Sequence, residues 1–179
     1  MDNNISNIDY TDFEGIQNEF DKTENMWHFI HDLHWYDVSK ACEEDAVRFV
    51  SAVILNDMEY QDARISPPRN PSLPYNADEL AEIQRMIVQE RMDLEDFINN
   101  YLDSISPRER AEYKLTKEQT MGLASHIVGL GYEMYSYVFD NPSMIFTLQN
   151  QYVERFEDVF DKAIMELSNN TEEAEEINS

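Results

Sequence analysis

The amino-acid sequence predicts an all-α protein, a single-domain bundle of about five main helices. Apolar residues recur at helical spacing along nearly the whole chain, and capping patterns precede the periodic segments. With 179 residues, 42% of them hydrophobic, the chain has the size of one ordinary domain and can bury a substantial core. We therefore predict an all-helical domain over 11–168, between a flexible N-terminus at 1–10 and a disordered acidic tail at 169–179.

The first two predicted helices lie in the N-terminal third of the chain. Thr11 and Glu14 form a capping-box pattern ahead of the first helix, which is predicted over about 12–35. A second helix follows Ser39. Its segment VRFVSAVIL is rich in β-branched residues and would also suit a strand, but no Gly or Pro interrupts the region around it. This uninterrupted length favours a helix.

A Pro-rich loop is predicted at 66–76, SPPRNPSLPYN, because this segment holds four of the six prolines. Cap residues mark each element after it. These elements are a helix from Ala77 to about Leu102 with Asn76 as N-cap, a short helical turn opened by Ser106 and Pro107, a helix capped by Thr116 and Gln119 that reaches about Phe139, and a helix opened by Asn141 and Pro142 that reaches about Leu167.

Net charge is the strongest bulk signal in the sequence. The chain carries 37 acidic and 13 basic residues, a formal charge of −24 at pH 7, which exceeds what solubility requires. Binding to phosphates needs a basic stripe, so we expect no direct binding to nucleic acid. An anionic membrane surface is repelled for the same reason.

The cysteine content and the start of the sequence bear on the compartment. Cys42 is the one cysteine, so the chain forms no internal disulfide and no cysteine-based zinc site. The first fifteen residues, MDNNISNIDYTDFEG, lack the basic region and apolar run of a secretory signal, and no stretch has the length of a membrane span. We expect a cytoplasmic protein, in the host cytoplasm if it is viral, with no cofactor.

The segment WHFIHDLHW, residues 27–35, is the most unusual in the chain, since it holds both tryptophans and three of the four histidines. On one continuous helix the three imidazoles fan over about 120° and do not converge on a single ion. We therefore predict packing rather than a metal site. His34 is expected in or near the core, His28 is expected to pair with Asp32, and the tryptophans are expected at the core or an interface.

Two further anomalies lie on the third and fourth predicted helices. Glu90 and Arg91 interrupt an apolar stripe, and a charged turn there is unfavourable unless it is paired or opens to a groove. We interpret it as an ion-paired turn, with a polar patch in a partner-binding cleft as the alternative. Gly122, Ser125 and Gly129 share one narrow helix face, which predicts close approach of a second helix or a ligand, with a bend or break near Gly129.

These observations predict a non-enzymatic protein that binds a basic surface of a protein partner, as a nucleic-acid-mimicking inhibitor, an immunity protein or a phage-encoded antagonist would. One alternative is a helical virion structural, assembly or chaperone protein, whose acidity is incidental. A second is a helical metal-dependent hydrolase that uses His28, His31 and Asp32 together with distant carboxylates. The carboxylates predicted to bind the partner are Asp9, Asp12, Glu14, Glu90, Glu154, Glu157, Asp158 and Asp161.

Overall fold

A computed structural model describes residues 11–55, 75–153 and 155–165, with the backbone alone for 11–21. The described ranges are helical and contain no strand, which confirms the all-α fold. The elements are α1 (Thr11–Asp32), α2 (Trp35–Val38), α3 (Glu43–Ile54), α4 (Ala77–Ser104), α5 (Pro107–Arg110), α6 (Lys117–Gly129), α7 (Tyr132–Asp140), a 3-10 turn (Pro142–Met144), α8 (Ile145–Leu148) and α9 (156–165). The predicted N-terminus at 1–10, most of the Pro-rich loop and the tail at 169–179 lie outside the described residues.

Reciprocal capping boxes begin three of the helices, as the sequence predicts. In each, the first side chain accepts a hydrogen bond from the backbone N–H three residues on, and the side chain of that later residue accepts one from the cap backbone. The pairs are Asn76 with Glu79 on α4, Ser106 with Glu109 on α5, and Thr116 with Gln119 on α6. The helical interpretation of VRFVSAVIL is confirmed by α3, which ends at Ile54.

The first helix ends earlier than predicted. α1 stops at Asp32 and α2 begins at Trp35, with His34 between them in the left-handed conformation at φ 46°. Leu33 and Trp35 are both buried, and two residues apart on a straight helix their side chains would point about 200° apart. The break lets both side chains reach the core.

The predicted fourth and fifth helices are each divided. α6 ends at Gly129, and Gly131, at φ 97°, begins a new direction for α7; the predicted break near Gly129 is confirmed. The predicted helix from Asn141 to Leu167 was wrong, because the structure instead has the 3-10 turn and α8, then irregular backbone before α9. At each break the chain changes direction, so the shorter helices can pack on several sides of the core, which a single long helix could not do.

The core is centred on α6, whose residues 122–129 are all buried. α4 forms the most extensive helix contact with it. A Cβ placed on Gly129 would lie 2.7 Å from Cδ1 of Trp35 and 2.8 Å from the ring of Phe156. This glycine therefore permits the close approach that the small-residue face predicts, and the groups that approach are aromatic side chains.

Candidate functional site

The two helix breaks border one open cavity of about 710 Å³, which we call the histidine cleft. His28 and His31 of α1 line one side, with His34 at the first break. Leu130 and Gly131, the second break, line the other side. The cleft exists because both chain segments leave their helices at the same place on the surface.

Aromatic side chains form much of the wall of the histidine cleft. The ring of Trp27 lies 5.5 Å from that of Tyr132, edge to face, and 5.0 Å from that of Tyr135. Trp27 is half-buried, while Tyr36 and Tyr132, which also line the cleft, are 64% and 57% exposed. Large exposed tyrosines beside a cavity are typical of protein-binding surfaces.

The charged groups around the histidine cleft are acidic. Glu24, Asp37 and Glu133 line it, and no lysine or arginine does so within the described part of the chain. Lys40, two residues after the end of α2, lies 3.6 Å from the carboxylate of Asp37 and 3.4 Å from the ring centre of Tyr36. The lining carboxylates therefore place negative charge beside aromatic faces.

The three histidines do not occupy the positions that the sequence predicts. His34 was expected in or near the core, but the helix break leaves it partly exposed in the cleft. His28 was expected to pair with Asp32, but Nε2 of His28 lies 3.6 Å from the carboxylate of Glu24, on the preceding turn, and Nδ1 of His31 lies 3.6 Å from that of Asp32. The tryptophan prediction is confirmed for Trp35, which is buried.

Two of the three side chains proposed for a metal-dependent hydrolase, His31 and Asp32, lie side by side, whereas the third, His28, lies beside Glu24. Among the residues that the structure describes, no group of three His, Cys, Asp or Glu side chains is arranged to hold a metal ion.

A second cavity of about 720 Å³ adjoins the first, and we call it the His126 cleft. The two share Tyr36, Leu130 and Glu133 as lining residues. His126 is 4% exposed, and its Nδ1 accepts hydrogen bonds from Nε1 of Trp35 at 3.1 Å and from the backbone N–H of Val153 at 3.4 Å. Burial lowers the pKa of His126 from 6.5 to about 4.

No role was predicted for His126 from the sequence. The signal that points to it is its place inside MGLASHIVGLG, an almost entirely apolar and small-residue run. A polar ring in such a run is buried and requires a hydrogen-bond partner. The sequence contains no feature that identifies Trp35 as that partner.

The charged turn on α4 is ion-paired. Nε of Arg91 lies 3.0 Å from Glu157 on α9, and another guanidinium nitrogen lies 3.2 Å from Glu95. Glu90, the residue preceding Arg91, accepts a hydrogen bond from the hydroxyl of Tyr135. Burial has the larger effect and this hydrogen bond the next, and both raise the pKa of Tyr135. The ion-paired interpretation is confirmed for Arg91, and the partner-binding role of Glu90 stays a prediction.

The structure brings part of the predicted acidic set together on α9. Glu157 is half-buried, and burial raises the pKa of its carboxyl against the opposing influence of Arg91. Asp161 accepts a hydrogen bond from Gln84 at 2.6 Å, and Asp158 is exposed. Asp9 and Glu154 lie outside the described residues, and for Asp12 and Glu14 only the helical backbone is described.

The distribution of cations explains why so much negative charge faces solvent. Seven described lysines and arginines lie within salt-bridge distance of carboxylates of the same chain, so their charge is compensated internally. Arg155 donates to the backbone carbonyls of Ser39 and Ala41. The excess carboxylates are left to interact with water or with a partner.

Comparison of the chain with protein-family models, curated proteins and solved structures found no match. Across the described residues, no helix combines the length and apolar character needed to span a membrane. The two clefts are therefore the candidate functional sites of the chain.

Proposed function

We propose that this chain is a non-enzymatic binding protein that docks on a basic surface of a protein partner, and that the histidine cleft receives a cationic side chain of that partner. The observation that supports the proposal is the combination of exposed aromatic rings with three lining carboxylates and no described lining cation. An arginine or lysine entering such a cleft gains both ion pairing and contact with aromatic faces.

An internal contact provides an example of this chemistry. The ammonium group of Lys40 lies over the ring of Tyr36 and beside the carboxylate of Asp37. A partner cation would find the same pair of group types at Tyr132 and Glu133 on the opposite side of the cleft. Arginine suits the site better than lysine, because a planar guanidinium stacks on aromatic rings and forms paired hydrogen bonds with a carboxylate.

The biological settings within this proposal are an inhibitor that mimics nucleic acid, an immunity protein or a phage-encoded antagonist acting in the cytoplasm. In each, the partner carries a basic surface, and the excess negative charge of this chain is complementary to it. The free and exposed Cys42 is compatible with a reducing compartment. A structural or assembly protein differs from these in that its binding would not depend on the cleft carboxylates.

The test measures binding of a fluorescent hexa-arginine peptide to two triple variants that remove the same total charge. One variant neutralises the cleft with Glu24→Gln, Asp37→Asn and Glu133→Gln. The control neutralises exposed carboxylates that line neither cleft, with Asp78→Asn, Asp96→Asn and Glu118→Gln.

We expect the cleft variant to weaken binding by about tenfold or more and the control by less than about threefold, which correspond to about 1.4 and 0.6 kcal/mol. Equal losses in the two variants would show that the peptide responds to bulk charge, and the proposed cleft function would be wrong. Circular dichroism of both variants confirms that the helical fold is retained.

A further inference from the structure

The His126 cleft presents a hydrogen-bond donor that the fold does not use. Nδ1 of His126 accepts from both Trp35 and Val153, so the proton of the neutral imidazole is on Nε2. Nδ1 faces these two donors, and His126 lines the cleft, so the Nε2 edge faces the cavity. Nε2–H has no hydrogen-bond partner among the described residues, and it keeps access to the cleft, because Oγ of Ser51 is the one fully buried polar side-chain atom without a partner in the described part of the chain.

Part of this cleft is apolar. Met134, Leu148 and Val153 line it together with Leu130, and Ser39, Tyr137 and Gln151 add polar groups to the lining. Its one lining cation, Lys40, is engaged by Asp37 and Tyr36, and Glu133 lines the same cavity. An anionic ligand is therefore disfavoured, whereas a neutral group with an apolar body and a carbonyl acceptor matches the lining.

The His126 cleft continues the histidine cleft through Tyr36, Leu130 and Glu133, which line both. We infer that it is a recognition subsite for an apolar residue of the same partner segment, whose backbone carbonyl accepts a hydrogen bond from Nε2–H of His126. This inference rests on the proposed function, in which a cationic side chain of that segment occupies the histidine cleft. His126 is then a specificity-determining residue, because its donor requires an acceptor at a fixed position.

The experiment uses the full chain and N-acetyl-L-leucinamide as the probe, with N-acetylglycinamide as the matched probe that lacks the apolar side chain. The indole N–H of Trp35 is the reporter, since it donates to His126. The chain has two tryptophans, so the Trp27→Phe variant assigns the reporter signal in a proton–nitrogen NMR spectrum.

We expect N-acetyl-L-leucinamide to shift the Trp35 signal saturably, to bind at least about fivefold more tightly than N-acetylglycinamide, and to slow exchange of the Nε2–H of His126 with water. Met134→Glu, which changes the apolar wall and leaves His126 in place, should abolish the shift. The absence of a saturable shift, or an equal response to both probes, would overturn the inference.

The failures of the two proposals are distinguishable. Glu24 lines the histidine cleft and not the His126 cleft, so Glu24→Gln should weaken hexa-arginine binding and retain the response to N-acetyl-L-leucinamide. If hexa-arginine binds through the histidine cleft and the leucine probe has no effect on Trp35, the subsite inference is wrong and the proposed function stands.

Discussion

Trp35 donates its indole N–H to Nδ1 of His126 at 3.1 Å, and both side chains are almost entirely buried. Trp35 lines the histidine cleft and His126 lines the adjoining one. The bond also fixes the segment after the first helix break against the central helix α6. It therefore sets the orientation of the imidazole whose other nitrogen faces the His126 cleft.

The first prediction concerns the pH dependence of stability through His126. Burial lowers its folded-state pKa from 6.5 to about 4, so between these values the unfolded chain binds a proton that the folded chain does not. The contribution of His126 to the free energy of unfolding is fully present above about pH 6.5. It decreases as the pH falls towards 4, and the total loss is about 3 kcal/mol. Urea unfolding between pH 7 and 4 measures it.

Protonation of the many carboxylates changes stability over the same pH range, so the comparison is between the native chain and His126→Gln. Glutamine accepts a hydrogen bond from Trp35 but does not titrate. We expect the difference in unfolding free energy between the two proteins to shrink as the pH falls. Parallel curves for the two proteins would contradict the assigned pKa.

The second prediction separates two effects of glycine. Gly129→Ala places a methyl group within 2.8 Å of the rings of Trp35 and Phe156, and overpacking of this kind costs about 1 to 3 kcal/mol or more. Gly131→Ala meets no atom within 4 Å, but its φ of 97° disfavours any side chain and costs about 1 to 2 kcal/mol.

Removing the neighbouring ring distinguishes the two cases. Phe156→Ala eliminates the Cγ and Cδ2 atoms that lie 2.8 Å from the added methyl group, so it should partly rescue Gly129→Ala and should not rescue Gly131→Ala, as measured by double-mutant cycles in thermal or urea unfolding. Equal rescue of both variants would mean that Gly129 is constrained by its backbone rather than by the aromatic contacts.

The third prediction addresses the buried ion pairs on α4. The side chain of Arg91 is 13% exposed and serves Glu95 and Glu157, which are 17% and 28% exposed. Arg91→Met leaves both carboxylates without this cation and should destabilise the fold by about 3 kcal/mol. Adding Glu157→Gln should restore part of that loss. If the single variant is as stable as the native chain, the pairs are solvated and contribute little.

The helices whose boundaries are set by neighbouring residues could be predicted from the sequence. The pairs Asn76 with Glu79 and Thr116 with Gln119 specify helix starts through hydrogen bonds that span three residues. α4 follows its prediction to within two residues at its end. In these cases the determinants of an element lie within the element itself.

Of the two helix breaks that border the histidine cleft, the one near Gly129 was predicted from the sequence and the one at His34 was not. His34 is an ordinary residue by local preference, and its left-handed backbone follows from the burial of both Leu33 and Trp35, with Trp35 held by the distant His126. Apart from Glu90, the predicted binding carboxylates came from local charge density, so Glu24, Asp37 and Glu133, which we propose instead, were not among them. They are separated in the sequence, and only the helix breaks bring them to one cavity.

The last prediction separates long-range attraction from binding in the cleft by kinetics. Exposed charge outside a binding site steers encounter, so Asp158→Asn with Asp161→Asn should slow association of hexa-arginine and leave its dissociation nearly unchanged. Neutralising Glu24, Asp37 and Glu133 removes contacts with the bound cation, so dissociation should accelerate by about tenfold. Stopped-flow fluorescence measures both rates.

The association rate with the native chain should fall steeply as added salt shortens the screening length from about 10 Å at 0.1 M to about 3 Å at 1 M. If the dissociation rate is unchanged by neutralising the cleft carboxylates, and the association rate depends on total charge alone, the acidic residues act only through long-range attraction. The assembly alternative then becomes the better account.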